Sequence, residues 1–389
     1  MPPYETQCIR VGMPISLTGM FKTQGNQALS GVMAWVQDVN ESGGIYVGDI
    51  GSRLPLSLHY YDDESQVTSA RLATLKLIRD DKVDLLFGPY SSALSLGAAE
   101  VANEHARILW NHGGASDSIY EKGYRYVVGI LTSARDYLEG LPDVVRDSLP
   151  RASTFAILNS NKGSFPRMIS EGARTTLTVN GFREVFCGHY DPESVDFSNL
   201  LRDVSKLHPD ILIGVGRIEN DLLLAKQIIE QNVKKHIRIA VLVAAGIEEF
   251  GESLSSQSEG FLGPTQWDKD VMVRTDCGPT FAQVTDSLAR YCDGPVDYPM
   301  VQAYAAGVVV KNCVEVAGTL DQENLRAVAL RSDISTFFGR FKVDPDTGRQ
   351  IGRSVQLVQW QSDRKVLVWP YGPTSKPVRP WIHSQKELL

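Results

Sequence analysis

Apolar and polar positions along the first ninety residues form blocks that switch between strand and helix periods. The runs Ile9–Leu17, Leu54–Tyr61 and Val83–Phe87 have strand length, whereas Gln24–Asn40 and Val67–Arg79 repeat apolar residues with a helical period. Each of these strands ends in small or polar residues, which predicts a βαβαβ unit with parallel strands. Open parallel sheets bind ligands outside the carboxyl ends of their strands, so we expect the functional residues there.

A second series of the same kind begins at Thr154–Leu158. The continuous apolar runs Ile211–Val215 and Arg238–Val243 are typical of strands that are buried on both faces. Near the end, Val355–Trp360 and Lys365–Trp369 predict a closing antiparallel pair. Two successive series without a short repeat predict an α/β protein with two Rossmann-like lobes on parallel sheets.

Composition and charge narrow the class of protein. A chain of 389 residues exceeds one ordinary domain, and 43% hydrophobic with 22% charged residues is a globular composition. A net charge of −7 argues against nucleic-acid binding, which needs a basic surface. No apolar run approaches the roughly 20 residues of a membrane span. No signal peptide is visible before the first strand, so an exported protein would have lost its leader, and a cytoplasmic protein is equally compatible.

The motifs of the common enzyme classes are missing from the chain. The stretch Pro14–Gly19 after the first strand lacks the glycines of a dinucleotide site, and Gly214–Gly216 lacks the third glycine in register. There is no P-loop, no G-x-S-x-G and no H-x-x-x-H pair. The sequence therefore predicts a protein that is not an enzyme and has no cofactor and no metal.

An ordered set of short motifs links the chain to a known family. In chain order these are S-x-T-G after the first strand, N-x-x-G-G-I after the first helix, Y-D-D after the second strand and G-P-x-S-S after the third. This series resembles the periplasmic solute-binding proteins of ABC transporters, in the branched-chain amino-acid-binding (type I) family. The resemblance runs from about Ile9 to about Trp369.

The resemblance implies a type I periplasmic binding protein fold, in which the chain crosses between two lobes three times. Lobe 1 would comprise residues 1–140 and 250–335, and lobe 2 residues 141–249 and 336–389. A small molecule would bind in the cleft between the lobes as the hinge closes. The family also implies a monomer, periplasmic or lipid-anchored outside the cell, that delivers its ligand to the permease subunits of an ABC importer.

For lobe 1, the family places ligand contacts on the loops after strands one, three and four. Ser92 matches a serine that holds the ligand's carboxylate, and a helix N-terminus there offers free N–H groups to an anion. The alternative is that these serines only cap the helix. The predicted contacts in this lobe are Met20, Phe21, Gln24, Tyr90, Ser91, Ser92, Gly114, Ala115 and Ser116.

For lobe 2, the predicted ligand contacts are Phe165, Arg217, Ala245 and Trp267. Phe165 matches an aromatic residue that packs on the ligand. Arg217 directly follows a strand, where relatives often carry an aromatic residue, and an arginine can grip a carboxylate with two hydrogen bonds. The alternative for Arg217 is a solvated salt bridge with Glu219 or Asp221.

One departure from the family bears on the ligand. Amino-acid binders place an acid in the loop that here reads Ala244-Ala245-Gly246, where it holds the ligand's ammonium group. Burying an ammonium group without a partner is costly. The sequence therefore favours a carboxylate without an amine, such as an aromatic or other apolar carboxylic acid. A branched-chain or other amino acid, and a ligand-sensing receptor of the same fold, remain the alternatives.

Five cysteines are present, an odd number, and there is no C-x-x-C pattern. Some family members join the loops after strands two and three by a disulfide, but Ser65 and Ser91 stand at the matching places here. Cys277 and Cys292 flank one helical segment and are the pair that an oxidising compartment would join. The alternative is that all five are small buried residues.

Overall fold

The computed structural model describes residues 8–271, 273–292 and 296–381, and it divides into two compact units. Unit 1 consists of the described residues up to 133 and from 273 to 353. Unit 2 consists of those from 134 to 271 and from 354 to 381. The chain therefore passes from one unit to the other three times.

Unit 1 is built on a five-stranded parallel sheet with the strand order β4-β1-β5-β6-β7. Two short antiparallel hairpins, β2 with β3 and β13 with β14, lie outside this sheet. The strands are β1 (Ile9–Ile15), β2 (Ile45–Val47), β3 (Ser52–Leu54), β4 (Leu56–Asp62), β5 (Leu85–Phe87), β6 (Leu109–Asn111), β7 (Val127–Gly129), β13 (Ile334–Thr336) and β14 (Gly339–Phe341).

The helices of unit 1 cover this sheet and contribute its core. Leu77 and Ala98, from two of them, belong to one buried cluster with Leu86 and Leu109 of the sheet. The two longest helices, α1 and α10, pack against each other, and the α10 stretch is almost continuously apolar. The helices are α1 (Lys22–Glu41), α2 (Val67–Arg79), α3 (Ser92–Glu104), α9 (Phe281–Leu288), α10 (Tyr298–Ala317) and α11 (Gln322–Arg331).

Unit 2 contains a seven-stranded mixed sheet with the order β16-β15-β12-β11-β10-β8-β9. Five of these strands are parallel, and β15 and β16 close the edge as an antiparallel pair. The strands are β8 (Thr154–Ser160), β9 (Arg183–Tyr190), β10 (Ile211–Val215), β11 (Ile239–Leu242), β12 (Leu262–Thr265), β15 (Gln356–Gln361) and β16 (Arg364–Trp369).

The helices of unit 2 follow its strands in the βαβ manner. All five residues of β10 and all four of β11 are buried, as the apolar runs predict for strands that are covered on both faces. The helices are α4 (Leu141–Ser148), α5 (Ser164–Val179), α6 (Ser198–Leu207), α7 (Ile218–Glu230) and α8 (Glu248–Leu254).

The unit boundaries lie elsewhere than the sequence places them. Residues 250–271, expected in lobe 1, belong to unit 2, because β12 pairs with both β11 and β15. Residues 336–353, expected in lobe 2, belong to unit 1, where Gln350 bridges to Thr132. The first passage lies after Ser133 rather than after residue 140.

The elements themselves follow the sequence pattern closely. The predicted helix Val67–Arg79 and the predicted strand Ile211–Val215 agree with α2 and β10 residue by residue. The closing antiparallel pair is present as β15 and β16. The strand β12 escapes prediction because its sequence, Leu-Gly-Pro-Thr, carries two residues that disfavour strands.

Two further observations concern the whole described chain. Among the described helices, none combines the length and the apolar character that a bilayer span requires. All five cysteines are free thiols, so Cys277 and Cys292 are not bonded to each other.

Candidate functional site

The loop after β1 is held in place by the carboxyl end of β4. The Asp62 carboxylate accepts hydrogen bonds from Leu17 N at 2.9 Å and from Thr18 Oγ1 at 2.7 Å. The Ser65 hydroxyl donates to Thr18 O at 2.7 Å and accepts from Phe21 N at 3.1 Å. Burial favours the neutral acid, but the amides and the hydroxyl around Asp62 outweigh it and lower the pKa of this carboxyl group. Ser65, one of the two serines that replace the family's disulfide cysteines, thus fixes the loop by hydrogen bonds.

This loop presents the first group of predicted site residues at the start of α1. Met20 is 48% exposed, Phe21 is half-buried and Gln24 is buried. The Phe21 ring lies edge-on to the Tyr90 ring, with 5.9 Å between centroids. Tyr90 Oη in turn lies 2.8 Å from Tyr298 Oη. The structure therefore brings Phe21 and Tyr90, which are far apart in sequence, into one aromatic group with Tyr298.

The second group is formed by the start of α3 and the loop after β6. Ser91 is the N-cap of α3, and its hydroxyl accepts from Leu94 N at 3.4 Å. Ser91 N donates to Gly113 O at 3.1 Å, and Ser92 Oγ accepts from Ser116 N at 3.0 Å. The capping role that the sequence offered as an alternative is present for Ser91. Ser92 is different, because its oxygen receives a backbone amide and its own O–H proton is left to donate.

The loop from Gly114 to Ser116 is fixed by neighbouring side chains. The Asn111 amide group donates to Gly114 O at 2.7 Å and accepts from Gly114 N at 2.9 Å. A Cβ atom on Gly114 would lie 2.6 Å from Ser95 Cβ, so this close approach requires glycine. Ala115 and Ser116 are both buried. Apart from Met20, Phe21 and Gln24, which follow β1, the predicted residues of unit 1 therefore lie on two adjoining segments at the carboxyl ends of β5 and β6.

His112, in the same loop, is a buried neutral side chain. Burial lowers the pKa of His112 to about 4, so the imidazole is uncharged at physiological pH. Its ring lies 6.2 Å from that of Phe87, between centroids. This environment is that of a core residue rather than of a general base.

In unit 2, Phe165 belongs to a cluster around Tyr137. The Phe165 ring lies edge-on to the Tyr137 ring, with 5.4 Å between centroids. The Tyr137 hydroxyl accepts from Gln266 Nε2 at 3.1 Å. The next residue, Trp267, is buried, and its carbonyl accepts from Thr265 Oγ1 at 2.9 Å. The start of α5 and the end of β12 are thereby joined through a tyrosine that the sequence pattern did not single out.

Arg217 is the N-cap residue of α7, directly after β10, and its side chain is exposed. Within the described chain, the guanidinium group makes no salt bridge, so the pairing with Glu219 or Asp221 that the sequence allowed is wrong. Asp221 is instead fully buried. The cation is thus available at the carboxyl end of a parallel strand.

The loop after β11 is a short 3-10 turn, Val243–Gly246, that contains no acid. Ala245 is fully buried, and its carbonyl accepts from Trp360 Nε1 at 2.9 Å. Glu248 begins the next helix, and its carboxylate pairs with Lys365 Nζ at 3.0 Å. The nearest acid along the chain is therefore engaged elsewhere.

Asp221 lies next to the predicted contacts of unit 2, although the sequence offers it only as an alternative partner of Arg217. Its Oδ2 accepts from Ala244 N at 2.9 Å, so it contacts the turn after β11 from the start of α7. Burial raises the pKa of Asp221 to about 7. An acid in the first turn of a helix ordinarily indicates a solvated residue that favours the helix dipole, so the sequence offered no signal for its burial.

Both strand-end surfaces carry groups that can bind a small anion. The described residues contain no group of three or more His, Cys, Asp and Glu side chains that could hold a metal ion. Hydroxyl and amide donors on unit 1 and a cation on unit 2 are groups that recognise an anion.

Comparison with known proteins identifies a family and similar proteins over most of the chain. The model of the family described as "Periplasmic binding protein" matches residues 8–365. The Leu/Ile/Val-binding protein BraC3 of Rhizobium johnstonii is 23% identical over 363 residues, which cover 92% of this chain and 93% of the relative.

Two solved structures illustrate the likeness of the fold. The branched-chain amino acid transporter substrate binding protein LivJ from Streptococcus pneumoniae, in complex with isoleucine, has a TM-score of 0.78 at 17% identity, covering 92% of this chain and 98% of that one. A solute binding protein of an ABC transporter from R. palustris, in complex with benzoate, has a TM-score of 0.76 at 17% identity, covering 93% and 96%. At such identities the likeness concerns the fold alone, which is that of type I periplasmic binding proteins.

Proposed function

Since the chain belongs to the periplasmic binding protein family, whose members are extracytoplasmic solute-binding proteins and not enzymes, we propose that its solute is a small carboxylate without an α-amino group. Its class is that of the substrate-binding proteins of ABC transporters. The finer proposal concerns the ligand. An aromatic or other apolar carboxylic acid is the candidate, delivered to the permease subunits of an importer.

The observation that carries this proposal is the charge at the strand ends of unit 2. Arg217 offers a guanidinium group without an ion pair in the described chain, whereas the turn Val243–Gly246 offers no acid. Glu248, the next acid, is paired with Lys365. A carboxylate gains a charge-assisted hydrogen bond from such a surface, while an ammonium group loses water without gaining a partner.

Unit 1 supplies the complementary support. The Ser92 hydroxyl has a proton to donate. The backbone N–H groups in the first turn of α3 have no carbonyl partner within the helix and can donate to a ligand. The Phe21 ring, on the loop after β1, lies edge-on to the ring of Tyr90, which directly precedes Ser91 and Ser92. We propose that these groups bind the ligand's carboxylate and its apolar part.

A thermal-shift screen tests the proposed ligand class. Benzoate, 4-hydroxybenzoate and short aliphatic carboxylates should raise the melting temperature, whereas isoleucine, leucine and valine should not. A ligand at a hundred times its dissociation constant stabilises the folded state by about 2.7 kcal/mol. Stabilisation by the branched-chain amino acids alone would contradict the proposal and favour an amino-acid binder.

The role of Arg217 is tested with the carboxylate that binds best. Arg217→Ala should weaken that ligand by about 2 kcal/mol, or roughly 30-fold, because a desolvated charge pair is lost. Arg202→Ala is the matched control, since Arg202 is also exposed on unit 2 but lies within α6. Equal affinities of the two variants by calorimetry would remove Arg217 from the binding site.

A further inference from the structure

Asp221 connects the ends of two neighbouring strands in unit 2. Its carboxyl group accepts a hydrogen bond from Ala244 N at 2.9 Å, at the turn after β11. The backbone amides of Gly216, directly after β10, and of Val243 also favour the ionised form of this carboxyl group. The side chain is fully buried. One carboxyl group therefore serves the loops after β10 and β11, which carry the predicted ligand contacts Arg217 and Ala245.

The second oxygen of Asp221 faces a buried tyrosine across Gly216. A Cβ atom on Gly216 would lie 2.2 Å from Tyr190 Oη and 3.1 Å from Asp221 Oδ1. The two oxygens thus lie on the same side of this glycine, and neither has a hydrogen-bond partner within the described chain. The residue before Arg217 consequently has no room for a side chain, and its backbone is fixed against two polar groups.

We propose that Asp221 is a positioning residue for the ligand site. Its carboxyl group holds the backbone at Gly216–Arg217 and at Val243–Ala245 in register, and so sets the affinity for an anionic ligand that it does not touch. This inference rests on the proposed function, because it assumes that Arg217 grips the ligand's carboxylate. It also gives this acid a role that needs no contact with a ligand's ammonium group, because its side chain is fully buried.

The groups around Asp221 determine how its charge acts on the neighbouring Arg217. Tyr190, at the end of β9, is the titratable group that faces it, and Arg217 and Glu219 on its own helix are exposed. On α8, which packs against α7, Glu248 is paired with Lys365. Burial raises the pKa of Asp221 to about 7, so the group changes charge near neutral pH. The neutral acid still accepts the amide bonds, whereas the ionised acid adds a negative charge behind Arg217.

The positioning role is tested first without any ligand, by hydrogen exchange of the backbone amides. In Asp221→Ala, the Ala244 amide should exchange at least about tenfold faster, because it loses a buried acceptor. Asp221→Asn should restore the protection, since the amide oxygen accepts the same bond. Glu219→Gln is the matched control, because it removes an acid from the same helical turn and should change nothing.

The effect on binding is measured with benzoate by calorimetry between pH 5.5 and 8.5. The affinity of the natural chain should fall as the pH rises through about 7, because ionised Asp221 repels the anion. Asp221→Asn should remove this pH dependence and bind benzoate at every pH as tightly as the natural chain does at acidic pH. Asp221→Ala should weaken binding about tenfold. Glu219→Gln should show the same pH profile as the natural chain.

The two measurements separate the failure of this inference from that of the proposed function. Unchanged exchange at Ala244 in Asp221→Ala, or a benzoate affinity that is as pH-dependent in Asp221→Asn as in the natural chain, would overturn the positioning role. If benzoate and the other carboxylates do not bind at all, the proposed ligand class fails, while the exchange data still decide whether Asp221 holds the two loops.

Discussion

At the scale of single residues, two buried acids of this protein, Asp221 and Asp63, accept hydrogen bonds from backbone amides in place of water. Asp221 accepts from Ala244 N, and Asp63 accepts from Ser16 Oγ at 2.6 Å and from Ser65 N at 2.9 Å. Burial raises the pKa of Asp63 to about 6 and that of Asp221 to about 7. Such groups fix loops, but they also make the stability of the fold depend on pH.

The pH dependence of stability should be visible in Asp221→Asn. Because the pKa of Asp221 is raised from 3.8 to about 7, the folded chain holds a proton that the unfolded chain has released between these values. The free energy of unfolding therefore falls as the pH rises through this window, by about 1.4 kcal/mol for each unit of pKa difference at most. Asp221→Asn should lose this component, so that its urea unfolding differs less between pH 5 and pH 8.

Glu219→Gln is again the control and should keep the slope of the natural chain. Asp63 contributes a slope of the same sign, so the informative quantity is the difference between Asp221→Asn and the natural chain. A natural chain that is as stable at pH 8 as at pH 5, with no change in the variant, would contradict the prediction.

At the scale of elements, the segment after β16 acts as a strap across the unit 2 sheet. The Gln359 side chain accepts from Arg379 N at 2.8 Å and donates to Arg379 O at 3.0 Å. Trp381 N donates to Arg238 O at 2.8 Å, and its ring lies edge-on to Phe261 with 5.2 Å between centroids. The strap thus connects β15 with the residues that directly precede β11 and β12.

Trp381→Ala should destabilise unit 2 through this strap. The indole also lies under Lys234, whose Nζ is 4.5 Å from the ring centroid, so stacking and a cation–π contact are lost together. Removing a half-buried tryptophan should cost about 2 kcal/mol, which lowers the melting temperature by roughly 5 °C in a unit of this size. Trp381→Phe keeps both ring contacts and should retain most of the stability in scanning calorimetry. Identical melting of the alanine variant and the natural chain would show that the strap is not part of the cooperative unit.

At the scale of the whole molecule, the chain forms two α/β units without covalent cross-links. The five thiols are free, and those of Cys277 and Cys313 have their pKa raised, above all by burial, which keeps them protonated and unreactive. Ser65, at a position where some members of the family carry a bridged cysteine, forms hydrogen bonds with the loop after β1.

The absence of cross-links can be checked by titrating the thiols. The unfolded chain should release five thiols per molecule with a chromogenic disulfide reagent, and a reducing agent should leave the melting temperature unchanged. Three thiols per molecule, together with a lower melting temperature after reduction, would instead indicate one disulfide.

The sequence by itself determined the elements and the strand ends at which to look for a ligand. Local periodicity reports which residues a strand or helix buries, so α2 and β10 were predicted to the residue, and the order of motifs carried the family. Ser92 and Phe165 could be named because they match residues of the family that the chain resembles, and Arg217 because it directly follows a strand.

Only the tertiary structure decided how those strand ends are held and to which unit each segment belongs. Residues 250–271 belong to unit 2 rather than to the predicted lobe 1, because β12 pairs with β11. Such pairing depends on parts of the chain that are distant in sequence. Contacts between distant parts of the chain also decide three features of the site residues. These are the burial of Asp221, the aromatic contact of Phe21 with Tyr90, and the lack of an ion pair for Arg217 within the described chain. Periodicity records whether a position faces inward, but the partner that it meets there is set by the packing of elements that are remote in sequence.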